Sequence, residues 1–409
     1  MANTRCSATA WAKHTCARST TRFEGHPLKH APLFATLSLL PGLHLRNRVV
    51  MAPMTTWASN DDGTVSDEEV AYYRRRARDV GLVITGCTHV QANGIGFTGE
   101  FAACDDCYIP SLRKLAMAAK SGGAPAILQL FHAGVKTLPT LVEDVVAASA
   151  VAGEGGPFAS AILPRALDDE EVLDVVTAFA DATRRAIAAG FDGVELHGAH
   201  GFLLQNFFSP HSNRRSDRWG GSLENRMRFP LAVVAAVKQA IAEHADRPFA
   251  LGYRLSVEES VDGGLRLADT LQLVTRLIDA GASYLHASLG NALDQKPVTG
   301  GPDATIVRIL CDHIGGRIPL IAAGGINTPA QAASALAMGL SLVAVGKGLV
   351  IDPDWMQHAR AGADQDIRLS VSAGDVLPAS IPHKLWAVIE ATPGWFNVVA
   401  QVAGGASGR

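Results

Sequence analysis

Asp192-Gly193-Val194-Glu195-Leu196-His197 is a short run that follows a helical segment, Asp169–Ala189, after only Gly190 and Phe191. Val172, Val175, Val176, Phe179 and Ala180 give the helical segment its apolar face, and a glycine just past a helix end is the usual stop signal. The same helix-then-strand unit recurs along the chain. The apolar runs are Val49–Met54, Leu82–Gly86, Pro125–Phe131, Asp192–His197, Phe249–Ser256, Ser283–Ser288, Ile318–Ala323 and Leu342–Gly346. They are mostly continuous rather than alternating, as in strands buried on both faces of a parallel sheet. Between them lie helical stretches at Asp67–Asp79, Ile109–Ser121, Asp169–Ala189, Glu224–His244, Leu267–Ala280, Asp303–His313 and Pro329–Met338, with Gly281 and Gly339 closing two more helices. Eight strands alternating with helices predict a single α/β domain, a (β/α)₈ TIM barrel.

The bulk composition agrees. The chain has 409 residues, 48% hydrophobic and 18% charged, enough for one large core. A net charge of −3 gives no footing for nucleic acid, and no apolar run is long enough to span a bilayer. The six cysteines are too sparse for a secreted disulfide framework, so a reducing, cytoplasmic setting is expected. Residues 1–30 are basic, rich in Ser, Thr and Ala, and without an acidic residue before Glu24. That composition also suits an organellar transit peptide or an over-long start, but a flexible, disordered extension is the expectation. The barrel is expected over residues 31–365. Residues 366–409 form a tail apolar enough to pack on the barrel or on a neighbouring subunit of a homo-oligomer.

Reacting groups in such barrels sit at the carboxyl ends of the strands. Those ends read Ala52-Pro53-Met54-Thr55, Gly86-Cys87-Thr88, Gln129-Leu130-Phe131-His132, His197-Gly198-Ala199-His200, Arg254-Leu255-Ser256, Ala323-Gly324-Gly325 and Gly346-Lys347. Small residues with free amides, one Gln, one Arg and one Lys suit a planar, phosphorylated ligand. Gly324-Gly325 before a helix, with Gly346-Lys347 beside it, reads as a phosphate cradle. Three other features read as structural. Gly94-Ile95-Gly96-Phe97-Thr98-Gly99 fits G-x-G-x-x-G but opens no helix, so it reads as a loop. Cys104 and Cys107 form a lone C-x-x-C, and Arg74-Arg75-Arg76 is expected to be a solvated helix face. The long segment Gly198–Ser222 is expected to be a functional loop.

Leu45-Arg46-Asn47-Arg48-Val49-Val50-Met51-Ala52-Pro53-Met54-Thr55 resembles the opening strand of the old yellow enzyme family. Glu195-Leu196-His197-Gly198-Ala199-His200-Gly201-Phe202-Leu203-Leu204 resembles its fourth strand, and Asn213-Arg214-Arg215-Ser216-Asp217-Arg218-Trp219-Gly220-Gly221 the segment that follows. The match runs from about Leu33 to Trp355. Met54-Thr55-Thr56-Trp57 and Thr392-Pro393-Gly394-Trp395 look most like a bacterial subgroup.

The resemblance implies an FMN-dependent oxidoreductase with non-covalent FMN, NAD(P)H as reductant, and electron-poor alkenes as acceptors in a ping-pong cycle through flavin N5. It implies FMN contacts from Pro53, Met54, Thr55, Gly86, Gln129, Arg254, Ala323, Gly324, Gly325, Gly346 and Lys347, with Lys347 where Arg is usual. Thr55 would tune the flavin. Trp57, His197, His200 and Phe202 would line the substrate site. As an isolated i,i+3 pair, His197 and His200 could be core groups, metal ligands or oxyanion donors; within this motif they are expected to hold the substrate oxygen, with no metal. Phe202 stands where the family has a proton-donating Tyr. A quinone or nitro acceptor, or a flavin-binding protein with vestigial activity, is therefore the alternative.

Overall fold

The computed structural model describes residues 28–156, 158, 161–298, 300 and 303–400. The N-terminal extension expected over residues 1–30 lies almost entirely outside the described residues, as does the end of the tail.

Eight parallel strands form the barrel: β1 (Val49–Met51), β2 (Leu82–His89), β3 (Ala126–Phe131), β4 (Gly193–Gly198), β5 (Ala250–Ser256), β6 (Tyr284–Ser288), β7 (Leu320–Ala323) and β8 (Leu342–Val345). Each pairs with its sequence neighbour, and β8 returns to β1 through Val343 opposite Val49, which closes the ring. The connecting helices are α1 (Asp67–Arg76), α2 (Ile109–Ala119), α3 (Asp169–Ala189), α4 (Leu223–His244), α5 (Leu267–Ala280), α6 (Ile306–Ile314) and α7 (Pro329–Ala337). Every expected strand and helix is present, with shifted ends. Helix α3 starts on a capping box, Asp168 with Glu171, and stops at Gly190 in the left-handed region (φ 93°).

The shifted ends have local causes. β1 stops at Met51 because Pro53 has no N–H to give a ladder. β2 runs three residues past Gly86, drawn on by Phe101–Ala102, which pairs along its outer end. The register between β2 and β3 slips between Ile84 and Cys87 as it does so. Within the segment Gly198–Ser222 a short helix forms at Leu203–Phe208, where all six side chains are buried.

A hairpin, Leu37–Leu40 with Leu43–Leu45, precedes the barrel and was not foreseen. Its Leu39, Leu43 and Leu45 pack with Val50, Leu82, Ile127, Ile321 and Leu342 and fill the amino end of the barrel. Apolar plugging of that end leaves the carboxyl ends of the strands as the open face.

The basic run on α1 is not a solvated face. Only Arg74 is exposed; Arg75 pairs with Asp354. Arg76 is buried and donates to the carbonyls of Leu349, Val350, Tyr72 and Ser380. Those carbonyls lie where the short helix Lys347–Ile351 and the tail meet α1, and a guanidinium with five donors is the side chain that satisfies several at once. Beyond residue 366, the helix His383–Ala391 buries Leu385 and Ile389, and Val371 N–H donates to the Asn397 carbonyl (2.9 Å). Among the described residues no helix is long and apolar enough to cross a membrane.

Candidate active site

Strand periodicity puts Glu195 and His197 of β4 on one face, and that face is the barrel interior. Register aligns Gln129, Glu195, Gly252 and Tyr284 at one level, and His197, Arg254 and His286 at the next. Glu195 is fully buried and accepts from Gln129 Nε2 (2.7 Å) and Tyr284 OH (3.0 Å), with His286 Nδ1 at 3.0 Å. Gly252 makes the Tyr284 bond possible, because a Cβ there would lie 2.1 Å from the Tyr284 ring. Burial works to raise the Glu195 pKa, but His286, Arg254 and the Gln129 amide outweigh it and hold the carboxyl below its ordinary value. Glu195 thus orients Gln129 from one side and holds a negative charge beneath Arg254.

Arg254 is buried and donates through Nη2 to Ser288 Oγ (3.0 Å), while its Nε has no partner among the described residues. A buried unpaired guanidinium N–H is costly, and it marks a position where a ligand acceptor fits. Arg254 lines a cavity of about 400 Å³ with Pro53, Met54, Ala323, Gly324, Gly325, Gly346 and Lys347, eight expected residues in one hollow. Gly324 has φ 148°, and a Cβ on it would sit 2.5 Å from the Leu289 carbonyl oxygen; Gly325 has φ 66°. Helix α7 begins just beyond, closed by the capping box of Thr328 and Gln331, so the positive end of its dipole lies near this hollow. Lys347 Nζ donates to the Trp395 carbonyl (2.8 Å), which uses one of its three hydrogens. A hollow of bare glycine backbone, an unpaired Arg donor and a Lys suits a flat ligand carrying a phosphate.

The two histidines adjoin this hollow. Ala199 N–H donates to His197 Nδ1 (3.3 Å), so that nitrogen is an acceptor and Nε2 carries the hydrogen. Burial, His200 and Arg254 hold the His197 pKa well below its ordinary value, leaving a neutral ring that is a donor through Nε2. His200 sits in the left-handed region (φ 60°), its N–H on Ser256 Oγ (3.0 Å) and its Nε2 2.7 Å from Ser288 Oγ. Ser288 accepts from Arg254 with one lone pair, and its second lone pair and its own hydrogen both face His200 Nε2, so the direction of that bond follows the His200 tautomer. The surrounding protein, Arg254 and His286 push His200 to about 3 although its edge opens to the cleft; water at that edge weakens the effect but not its direction.

Phe202 is buried in an aromatic wall with Phe131 (centroids 5.0 Å apart), Phe97 (6.2 Å) and His197 (4.7 Å), in the same cluster as Cys87. Thr55 Oγ1 lies 3.5 Å from Cys87 Sγ, and burial pushes that thiol up to about 12. Gly86 approaches the β1 end, where a Cβ would meet the Met54 carbonyl at 2.6 Å. Trp57, at φ 52°, meets Phe97, Phe158 and Trp395 edge-on or tilted. Glu195, His286, Ser288 and Trp395 were not foreseen. Glu195 had a signal, since an acid two residues before His197 on a buried strand must share its face; the others depend on long-range register.

The sequence model of the NADH:flavin oxidoreductase / NADH oxidase family matches residues 32–366. The chain is 42% identical to a probable NADH-dependent flavin oxidoreductase, YqiG, of Bacillus subtilis (strain 168), covering 90% of this chain and 98% of that protein. It is 40% identical to the NADH:fumarate oxidoreductase of Klebsiella pneumoniae (strain 342), over 84% of this chain but only 37% of that longer protein. Morphinone reductase in complex with tetrahydroNAD superposes with a TM-score of 0.70 at 29% identity, over 81% of this chain and 91% of that one. The chain belongs to the NADH:flavin oxidoreductase / NADH oxidase family and is an FMN-dependent NAD(P)H oxidoreductase of the old yellow enzyme kind.

Proposed function

We propose that the protein reduces the C=C bond of electron-poor alkenes such as enones, with His197 and His200 holding the activating oxygen. The observation that carries this is the pair of neutral imidazoles lying ring against ring, His197 with its hydrogen set on Nε2 by Ala199 and His200 held in place by Ser256 and Ser288. Two preset donors on one oxygen favour the charge that builds on it as the β-carbon is attacked, and they cost no reorganisation at that moment.

FMN, when bound, relays a hydride from NAD(P)H to the acceptor. Pro53, Met54, Thr55, Gly86, Gln129, Arg254, Ala323, Gly324, Gly325, Gly346 and Lys347 would hold it. Arg254 would balance negative charge on the flavin ring, and Gln129, steadied by Glu195, would offer it an amide. The glycine amides, the start of α7 and the spare hydrogens of Lys347 would meet the phosphate. Trp57 and Phe202 provide the apolar walls against which a flat acceptor stacks.

A second reading, reduction of quinones or nitro compounds, is favoured by the apolar cluster that surrounds Phe202 among the described residues. Its neighbours are Phe97, Phe131, Ala133, His197 and the high-pKa thiol of Cys87. Such acceptors take their protons from water. Purified protein should carry FMN, bleach with NADH or NADPH under argon, and regain its colour with 2-cyclohexenone. Recovery with quinones and nitroarenes but with no enone would establish the second reading, and failure to bleach would mean a vestigial site.

A further inference from the structure

The family match ends at residue 366, yet the chain returns to the flavin cavity after it. Trp395 lines that cavity beside Met54, Gly346 and Lys347, and it also lines the adjoining hollow that holds Thr328 and Arg368. Its ring packs on Trp57 (5.7 Å between centroids), Phe158 (5.1 Å) and Phe396 (4.7 Å). The backbone is held at three points: Lys347 on the Trp395 carbonyl, Val371 N–H on the Asn397 carbonyl, and Val399 N–H on the Val371 carbonyl. Gly394, at φ 82°, turns the chain so that Trp395 faces inward, and Phe396 is buried as an anchor. Pro393, Gly394, Asn397 and Val398 are exposed, so the segment touches the body mainly through Trp395 and Phe396.

We propose that Trp395 is the closing wall of the FMN cavity, supplied by the tail, and that it retains the flavin and screens it from water. The inference rests on this cavity being the flavin's. An indole offers a large apolar face for the loss of few rotamers, which suits a wall that must stay in place without covalent support. Lys347 joins the wall to the ligand: one hydrogen holds the Trp395 carbonyl while the other two are available to an anion. Binding of the phosphate then fixes the Lys347 side chain, and with it the carbonyl that positions Trp395. Flavin occupancy and tail docking are therefore coupled.

The test uses the full chain, stripped of FMN and titrated with FMN while flavin fluorescence is followed. Trp395→Ala should weaken FMN binding by roughly 10-fold, as truncation of an aromatic contact residue does, whereas Trp395→Phe should stay within about 3-fold. Bound flavin in Trp395→Ala should also be quenched more strongly by iodide. In the unaltered protein, amide exchange at residues 392–398 should be slower with FMN than without it. Unchanged affinity and iodide access in Trp395→Ala would overturn the proposal. If that variant does not fold, identical exchange of residues 392–398 in both forms of the parent would overturn it. None of these readouts needs alkene turnover, so a failure of the alkene assignment is seen separately.

Discussion

The Phe202 ring stands edge-on to the His197 imidazole, with centroids 4.7 Å apart and planes at 81°. The side chain that carries no proton is therefore in direct contact with the donor assigned to the substrate oxygen. Adding one hydroxyl, by Phe202→Tyr, should place an acid beside the site. General acid catalysis contributes about 10²–10⁴-fold when proton transfer limits a step. Reoxidation of the reduced enzyme by weakly activated enones should accelerate within that range, and reduction by NADPH should not change. Stopped-flow absorbance separates the two half-reactions. An unchanged enone rate would mean that water already supplies the proton.

Replacing both His197 and His200 with Ala removes the two preset donors. Loss of such a donor costs roughly 10²–10³ in rate, so turnover of 2-cyclohexenone should fall at least that far. Phenol binding, read from its charge-transfer absorbance, should be lost while FMN content is retained. Because both rings are held neutral, phenol binding by the parent should show no histidine titration between pH 6 and 8.

His132 at the end of β3 is buried, with Gly134 N–H donating to its Nδ1 (3.1 Å), and burial with nearby His89 pushes it down to about 3. Below the ordinary histidine value the unfolded chain takes up a proton that the folded one refuses. The His132 contribution to stability is thus present above pH 6.5 and is lost as pH falls toward 3. The slope approaches about 1.4 kcal/mol per pH unit. Urea denaturation at pH 7, 6 and 5 should show that fall, and His132→Asn should blunt it. A pH-independent midpoint would show that His132 takes up its proton in the fold as readily as in the unfolded chain.

Glu195→Gln keeps the shape of the buried hub but replaces one acceptor oxygen with a donor. One of Gln129, Tyr284 or His286 then faces another donor in a dry interior. The cost should be roughly 1–3 kcal/mol of folding stability, the penalty of one unsatisfied buried group. FMN binding should weaken too, since Gln129 is no longer steadied. Denaturant midpoints and an FMN titration check the two effects, and a variant unchanged in both would remove Glu195 from the site.

Arg76→Met leaves the carbonyls of Leu349 and Val350 without their donor. Each orphaned buried carbonyl costs about 1–3 kcal/mol, so the variant should lose at least about 2 kcal/mol. Thermal unfolding measures this. A loss below about 0.5 kcal/mol would restore the reading of Arg76 as a surface charge.

The barrel was legible in the chain because strands buried on both faces leave continuous apolar runs, and because Gly190 and Gly281 each mark a helix stop by a local backbone need. The cavity residues were legible for a related reason: they sit at strand ends, and strand ends can be counted. His197 and His200 needed only their shared motif. Other features came from packing across the ring. Glu195, Gly252 and Tyr284 are separated by dozens of residues and meet only because three strands share a register. The hydrogen on His197 is set by Ala199, and His200 is held by Ser256 and Ser288 of two other strands, so its partners could not be named before the strands were placed. Arg76 reads as a charged surface residue until the helix Lys347–Ile351 brings its carbonyls over it. Trp395 lies beyond the repeating units, and only the folded tail puts it at the cavity. Local periodicity determines which segments form and which way each side chain points; which side chains then meet is decided by closure of the barrel, because burial sets the cost of every polar group left without a partner.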